Sequence, residues 1–462
     1  MIDFGRNVAG CANLKACATG QNPLAPTVSR RRIQWSAILG AVALVLGTIS
    51  APGFAQNWLQ EAPDNSPSER AYASMAYDSA ERNVVLFGGE GNNVVLADTW
   101  VWDGSNWTQM TPSASPSPRT DAAMAFDSVH GQMVLFGGYS NAAPYVYLAD
   151  TWVWDGSNWT LKTPSNSPPG RAEATMKFDS ARGQMVLFGG YGGVNSYGDT
   201  WVWNGTSWTQ EELSTNPPAR QDAAMAYDAA GGNIVLFGGG SIVNSTEGPA
   251  LNDTWVWNGS QWTEKHPSTS PPGRVRAGMA NYSEQGRVFL FGGIGATAYL
   301  NDTWSWNGSD WTEDNPQNTP TPRMGFGMAP DDAEGNLVMF GGITNGISSA
   351  TWIFAKGPEV TLSASSLSFP TQKAKTSSSS ESISVTNSGV TNLTIDGVSI
   401  SGSDKQDFTE TNNCHSSLKI GFSCTINVIF KPTAKGARSA KLLIKDNAQN
   451  GSQSVALSGT GD

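Results

Sequence analysis

The chain has 462 residues, of which 39% are hydrophobic and only 15% charged, with 51 glycines and a formal charge of −11 at pH 7. That length accommodates two or more domains, and a glycine-rich, charge-poor composition argues against a helical protein and for an all-β one. The acidic balance excludes nucleic acid and anionic membrane surfaces as partners.

Arg30, Arg31 and Arg32 stand ahead of an apolar run from Ile33 to Ile49, and the small residues from Ala51 to Ala55 follow. A basic head, an apolar body and a small-residue exit are the three regions of a secretory signal. Residues 1–55 are therefore expected to be an N-terminal extension and signal peptide, cleaved after Ala55. The run is also at the lower length limit of a membrane span, so an uncleaved anchor is the alternative. Ser29-Arg30-Arg31-Arg32-Ile33 matches a twin-arginine signal loosely, which leaves the export route open. Cleavage removes five basic residues and one acid, shifting the charge from −11 to −15, and takes Cys11 and Cys17 with it. The mature protein is then expected outside the cytoplasm, secreted, periplasmic or at the cell surface, with no membrane insertion.

From residue 56 to 356 one pattern recurs. Arginines that follow closely on a proline stand at Arg70, Arg119, Arg171, Arg220, Arg274 and Arg323, and each lies 12 residues after a tryptophan, the first being Trp58. A Gly pair begins 18 residues after each Arg, and in five units an Asp-Thr-Trp follows, with a closing Trp 9 residues after the Asp. The unit from Arg119 to Trp159 reads as four short strands: Ala122–Phe126, a turn capped by Asp127, Gln132–Phe136, a Gly-Gly turn and loop, Thr151–Trp154, the hairpin pair Asp155-Gly156, and an outer strand from Trp159. The sixth unit has Trp352 but no closing Trp, while Trp58 belongs to no complete unit before it. One strand too many at the front and one too few at the back describe a closed ring, which hides the sheet edge.

The double Gly, the aromatic segment after it and the closing Trp resemble the kelch repeat in order and kind. Six copies in register over residues 57–356 imply a six-bladed kelch-type β-propeller, with the strand at Trp58 completing the sixth blade. The resemblance also implies that each aromatic pair fills the wide space between blades.

Only one spacer varies. From the first Gly of the pair to the Asp the distances are 10, 13, 10, 15 and 10 residues. The connection between second and third strands carries this variation, and binding residues commonly sit in such loops. It holds Tyr139, Tyr145 and Tyr147 in blade 2, Tyr191 and Tyr197 in blade 3, and Tyr299 in blade 5. These rings either stack on a sugar or anchor a protein partner, or they cover neighbouring loops. The six arginines recur in every unit, so they are expected to be structural, bracing a neighbouring blade through Asp98, Asp150, Asp199, Asp253 and Asp302. Two residues after each Arg the repeat breaks into Tyr72, Asp121, Glu173, Asp222, Arg276 and Gly325. Asp121, Glu173, Asp222 and Arg276 thus gather at the channel mouth, where they bind a cation or polar ligand or else neutralise one another.

Catalysis has little support. Copper-radical oxidases of the kelch family need a Cys–Tyr cross-link and histidine ligands, whereas this propeller has no Cys and only His130 and His266, which lie in different strands or hairpins. Exported bacterial sialic-acid mutarotases share the six kelch blades, so a carbohydrate-active enzyme working at the channel mouth is the alternative to a non-catalytic binding protein. No catalytic residue, cofactor or metal is assigned.

After Gly357-Pro358 the tryptophans stop and Ser and Thr rise. Alternating segments such as Glu381–Val385, Leu393–Ile395, Thr425–Phe430 and Lys441–Lys445 predict about seven strands, an immunoglobulin-like β-sandwich over residues 357–462. Asn387-Ser388-Gly389, Phe430-Lys431-Pro432 and Leu457-Ser458-Gly459-Thr460-Gly461 resemble the abnormal-spindle/hydin-type domain of bacterial exported proteins, which implies a spacer or adhesion role. Cys414 and Cys424 are a close, even pair in an exported chain and are expected to form a disulfide, the alternative being a metal site short of ligands.

Overall fold

The computed structural model describes residues 56–140, 146–316, 318–389, 391–414, 417–448 and 451–462. The proposed signal and Tyr145 lie outside them.

Six four-stranded antiparallel sheets follow one another along the chain and form the blades of a six-bladed β-propeller. Blade 2 is typical: Ala123–Asp127 innermost, then Gln132–Phe136, Thr151–Trp154 and the outer Trp159–Lys162. Short runs of alternating apolar residues, each bounded by Asp or Gly turn chemistry, make this geometry local and repeatable. Asp127 caps the first turn through the backbone N–H groups of Val129 and His130. Innermost strands carry Ala, Met and Gly, which fit the crowded axis. The second strands, such as Met133–Phe136, are buried between neighbouring blades.

Blade 6 is assembled from both ends of this region. Gly327–Asp331, Asn336–Phe340 and Thr351–Lys356 supply three strands, and Gln56–Glu61 supplies the outer one. The last two pair antiparallel from Gln56 opposite Lys356 to Glu61 opposite Thr351, with Trp58 opposite Phe354. Trp58 is 1% exposed, and its ring lies 4.7 Å from Phe291 of blade 5 and 5.0 Å from Phe354. Each outer Trp donates its indole N–H to a Thr in the third strand of the preceding blade. Trp107 reaches Thr351 at 2.9 Å, Trp159 reaches Thr99 at 2.9 Å, and Trp58 reaches Thr303 at 3.1 Å. Ring closure therefore uses the same bond that joins every other pair of blades.

Residues from Val360 to Gly461 form two further four-stranded sheets packed as a sandwich. One contains Val360–Leu362, Ser380–Asn387, Phe408–Asn412 and Ser423–Phe430. The other contains Ser366–Ser368, Ile395–Ser401, Gly436–Asp446 and Ser452–Gly461. Ile383, Val385, Ile426, Val428, Leu442, Ile444 and Val455 fill the core. There are eight strands where alternation suggests about seven. The extra one arises because Ser366–Ser368 is three residues long and too short to show a period, and it pairs parallel with Ser452–Gly461. Cys414 and Cys424 are joined by a disulfide between a loop and the buried start of a strand.

Candidate functional site

The site begins with the repeated arginine. Each guanidinium is at most 2% exposed. In blade 3, Arg171 donates to Asp199 at 2.6 and 2.9 Å, to the Gly189 carbonyl at 2.9 Å and to the Pro169 carbonyl at 3.1 Å. Arg70–Asp98, Arg119–Asp150, Arg220–Asp253 and Arg274–Asp302 repeat the bidentate pair. Burial alone would raise these carboxyls, but the hydrogen bonds and charge of the arginine outweigh it and hold all five aspartates below the usual range. The expectation that this pair bridges two blades needs correcting. Arg and Asp precede the first and third strands of one sheet at the same end, so they meet within the blade. The neighbour is reached by the arginine's carbonyl, which accepts from the second Gly of the preceding blade: Gly138 N–H donates to Arg171 O at 2.8 Å. A Cβ on Gly137 would lie 2.5 Å from that same carbonyl, so a side chain there would block the crossing.

Two residues on, the chain turns into the channel mouth. Tyr72, Asp121, Glu173, Asp222, Arg276 and Gly325 all have φ between 55° and 63°. Their backbones form a closed circuit: Asp121 N–H donates to Tyr72 O, Glu173 to Asp121, Asp222 to Glu173, Arg276 to Asp222, Gly325 to Arg276 and Tyr72 to Gly325, at 2.7 to 3.2 Å. Five side chains are held in a left-handed backbone that costs each of them about 1 kcal/mol, and Gly325 alone avoids the penalty.

The circuit brings the mouth residues together. Arg276 donates to Glu173 at 2.6 Å and to Asp222 at 3.0 Å, and its guanidinium stacks over Tyr72 at 4.6 Å. Ligand atoms of Asp121, Glu173 and Asp222 lie within 4.8 Å of one another, close enough for one cation to bridge them. Burial, opposed by Arg276 and reinforced by the Asp222 carboxylate, pushes Asp121 up to about 7. Burial and repulsion from Asp222 and Asp121 push Glu173 up to about 8. One guanidinium thus serves three crowded carboxylates. Glu173 Oε2 is enclosed and accepts no hydrogen bond.

The mouth is itself a cavity of about 160 Å³, and the channel continues below it as a second of the same size, with Ala73, Ala122, Ala174, Ala223, Ala277 and Phe326 lining both. Lys177 lines the lower one, at a position that is Ala76, Ala125, Ala226, Ala280 or Ala329 in the other blades. Burial pushes its amine down to about 8. The only mark of this residue in the sequence is its interruption of an otherwise all-alanine column. A larger cavity of about 910 Å³ opens beside the mouth, between the second-to-third loops of blades 4 and 5. Ile242, Glu247, Ile294 and Leu300 line it, and Asp222 and Arg276 belong to both spaces.

The variable loops stand on this same face. Each is bridged to the mouth segment of its own blade, as in Thr120 with Tyr139 and Ala172 with Tyr191. Tyr139 and Tyr147 pack at 5.2 Å, Tyr147 and Tyr191 meet edge to face at 5.5 Å, and Tyr197 lies under Arg171 at 4.1 Å. Four of the candidate tyrosines therefore pack on one another or on the brace, whereas Tyr299 bridges Ile294 within the blade 5 loop. Burial, with Tyr191 and Glu173 nearby, pushes the Tyr147 hydroxyl up to about 12.

Two family models match the chain. The KLHDC2/KLHL20/DRC7 Kelch-repeats domain matches residues 55–215 and again 204–388. Cep192 domain 4 matches residues 357–462. None of the curated proteins compared with the chain matches it.

Proposed function

Because the chain belongs to the kelch-repeat family, whose propellers imply protein interaction, we propose that it is an exported, non-catalytic binding protein that seats a partner polypeptide on the face around the acidic mouth. One observation carries this reading. Of the eight exposed large apolar side chains among the described residues, Val94, Val146, Val194 and Val243 sit in the second-to-third loops of blades 1 to 4. Four apolar tips around a charged centre, with a 910 Å³ recess beside it, have the composition of a protein-binding surface rather than of a sugar site. Packing of Tyr139, Tyr147 and Tyr191 on one another covers faces on which a sugar ring would stack. Export is supported by the signal-like segment ahead of residue 56 and by the Cys414–Cys424 disulfide, which suits an oxidising compartment.

The test selects a displayed random-peptide library against the full chain. Enriched peptides should lose binding at least about tenfold to Val194→Ser/Val243→Ser, and keep it with Val129→Ser, a control at the opposite end of the strands. Peptides that bind both variants equally, or a library that yields none, would sink the proposal.

A further inference from the structure

Five blades carry a three-point carboxylate clamp, and the sixth carries the clamp without its carboxylate. In blade 1, Arg70 Nη1 and Nη2 donate to Asp98 at 2.6 and 2.8 Å, and Trp100 Nε1 donates to Asp98 Oδ2 at 2.7 Å. Trp152, Trp201, Trp255 and Trp304 make the same 2.7 Å bond to the aspartates of blades 2 to 5. In blade 6 the corresponding residues are Arg323, Trp352 and Ala350.

The rest of the clamp is unchanged. Gly341 N–H donates to the Ala350 carbonyl at 3.1 Å, as Gly88 N–H does to that of Asp98. Arg323 donates from Nε to the Thr321 carbonyl at 3.1 Å, from Nη1 to the Gly341 carbonyl at 3.0 Å and from Nη2 to the Thr321 hydroxyl at 3.0 Å. These match the bonds that Arg70 makes to Ser68 and Gly88. Each terminal nitrogen of Arg323 keeps a second N–H, the one its siblings give to aspartate. Arg323 is 2% exposed, and Trp352 Nε1 is enclosed with no acceptor. A buried guanidinium without a counter-charge and a buried indole N–H without an acceptor are both unfavourable.

The five sibling aspartate side chains are 17 to 28% exposed, so the carboxylate position borders solvent although the arginine behind it does not. We infer that blade 6 is a receptor for a carboxylate supplied from outside the propeller, gripped bidentately by Arg323 and capped by the Trp352 indole. The group it fits is acetate-sized, because an aspartate side chain fills the same position five times over. A small free carboxylate and a carboxylate on a bound polypeptide share that chemistry. The inference does not depend on the loop-face reading above.

The experiment uses the full chain with ¹⁵N-labelled tryptophan, the Trp352 indole signal being assigned from Trp352→Phe. Sodium acetate is titrated against sodium chloride at constant ionic strength. A short glycine peptide carrying one Glu forms a second arm, with its Gln counterpart as control. The Trp352 indole proton should move downfield and saturate, and Tm should rise with occupancy. Ala350→Asp should start at the shifted position with a higher Tm, its response to acetate reduced at least about tenfold by the resident carboxylate. Saturation by acetate alone assigns a free small carboxylate, and tighter saturation by the Glu peptide assigns a partner's side chain. An indole that stays still in both arms, or wild type and Ala350→Asp responding alike, overturns the inference.

Discussion

Blades 1 to 5 and blade 6 run the same repeat under different constraints, and what blade 6 keeps shows what every blade requires. It keeps the arginine, the Gly pair that donates to the next arginine's carbonyl, and an outer Trp bonded to a Thr next door. It drops the clamp aspartate for Ala350, the inner Trp for Phe354, and the side chain at the mouth for Gly325. What survives unchanged is the set of hydrogen bonds between blades; the inner Trp gives way to Phe354, which still packs on Tyr282 and Phe289 of blade 5, and what is lost outright lies within the blade or in the channel. In a ring each interface is needed once for closure, so blade-to-blade bonds tolerate no exception.

The severest way to break this comparison is to remove residues 56–62. Blade 6 would then keep three strands, lose the burial of Trp58 and expose a sheet edge. The loss should exceed the roughly 3 to 5 kcal/mol typical of truncating one buried Trp. Thermal unfolding would check this, and an unchanged Tm would mean that Gln56–Glu61 does not close the ring. Next in size is Asp199→Ala, which makes blade 3 imitate blade 6 by leaving Arg171 buried and unpaired. Because Asp199 is partly exposed, the expected cost is about 2 to 3 kcal/mol, below that of breaking a fully buried pair. Denaturant unfolding that shows less than half of that would mean the clamp is not a stabilising element. The reciprocal change, Ala350→Asp, should make blade 6 imitate the others and stabilise the protein by about 1 to 2 kcal/mol; a lower midpoint in the same assay would show that the clamp in blade 6 has relaxed beyond use.

The sequence makes the ring legible because its spacing is periodic. Trp58 stands 12 residues before Arg70, as Trp107 stands before Arg119, and a fixed interval in a repeat is a fixed position in a blade. The mouth residues were equally legible, since the column two after each arginine is where the repeat stops repeating. Their left-handed backbone and closed hydrogen-bond circuit were not, because φ leaves no trace in a sequence unless Gly marks it, and only Gly325 does. The pairing of each arginine with an aspartate is legible in the sequence but the blade in which they meet is not, since a repeat contains both residues whichever blade they join. Sequence showed the tyrosines sharing variable loops, while the edge-to-face contact of Tyr147 with Tyr191 required three dimensions. Ala350 interrupts a column of five aspartates, a signal of the same kind as Lys177, yet its meaning depends on the enclosed Trp352 nitrogen.

The smallest effect distinguishes the two kinds of carboxylate by pH. Clamp aspartates are held below the ordinary range, so their contribution is present above about pH 4 and is lost only as pH falls further. Mouth carboxylates have the opposite sign. Asp121 is raised to about 7 and Glu173 to about 8, so the contribution of their protonated forms is complete below the ordinary carboxylate range and is lost as pH rises through 7 and 8. Within that upper window Asp121 and Glu173 add their charges around one guanidinium, and stability should decline. Glu173→Gln keeps an acceptor for Arg276 but removes one charge. Its Tm should match wild type near pH 5 and exceed it near pH 8.5, by a few degrees at most. Parallel curves for the two proteins across that range would mean that crowding at the mouth is relieved by some means other than protonation. The mouth would then differ from the clamp in geometry but not in electrostatics.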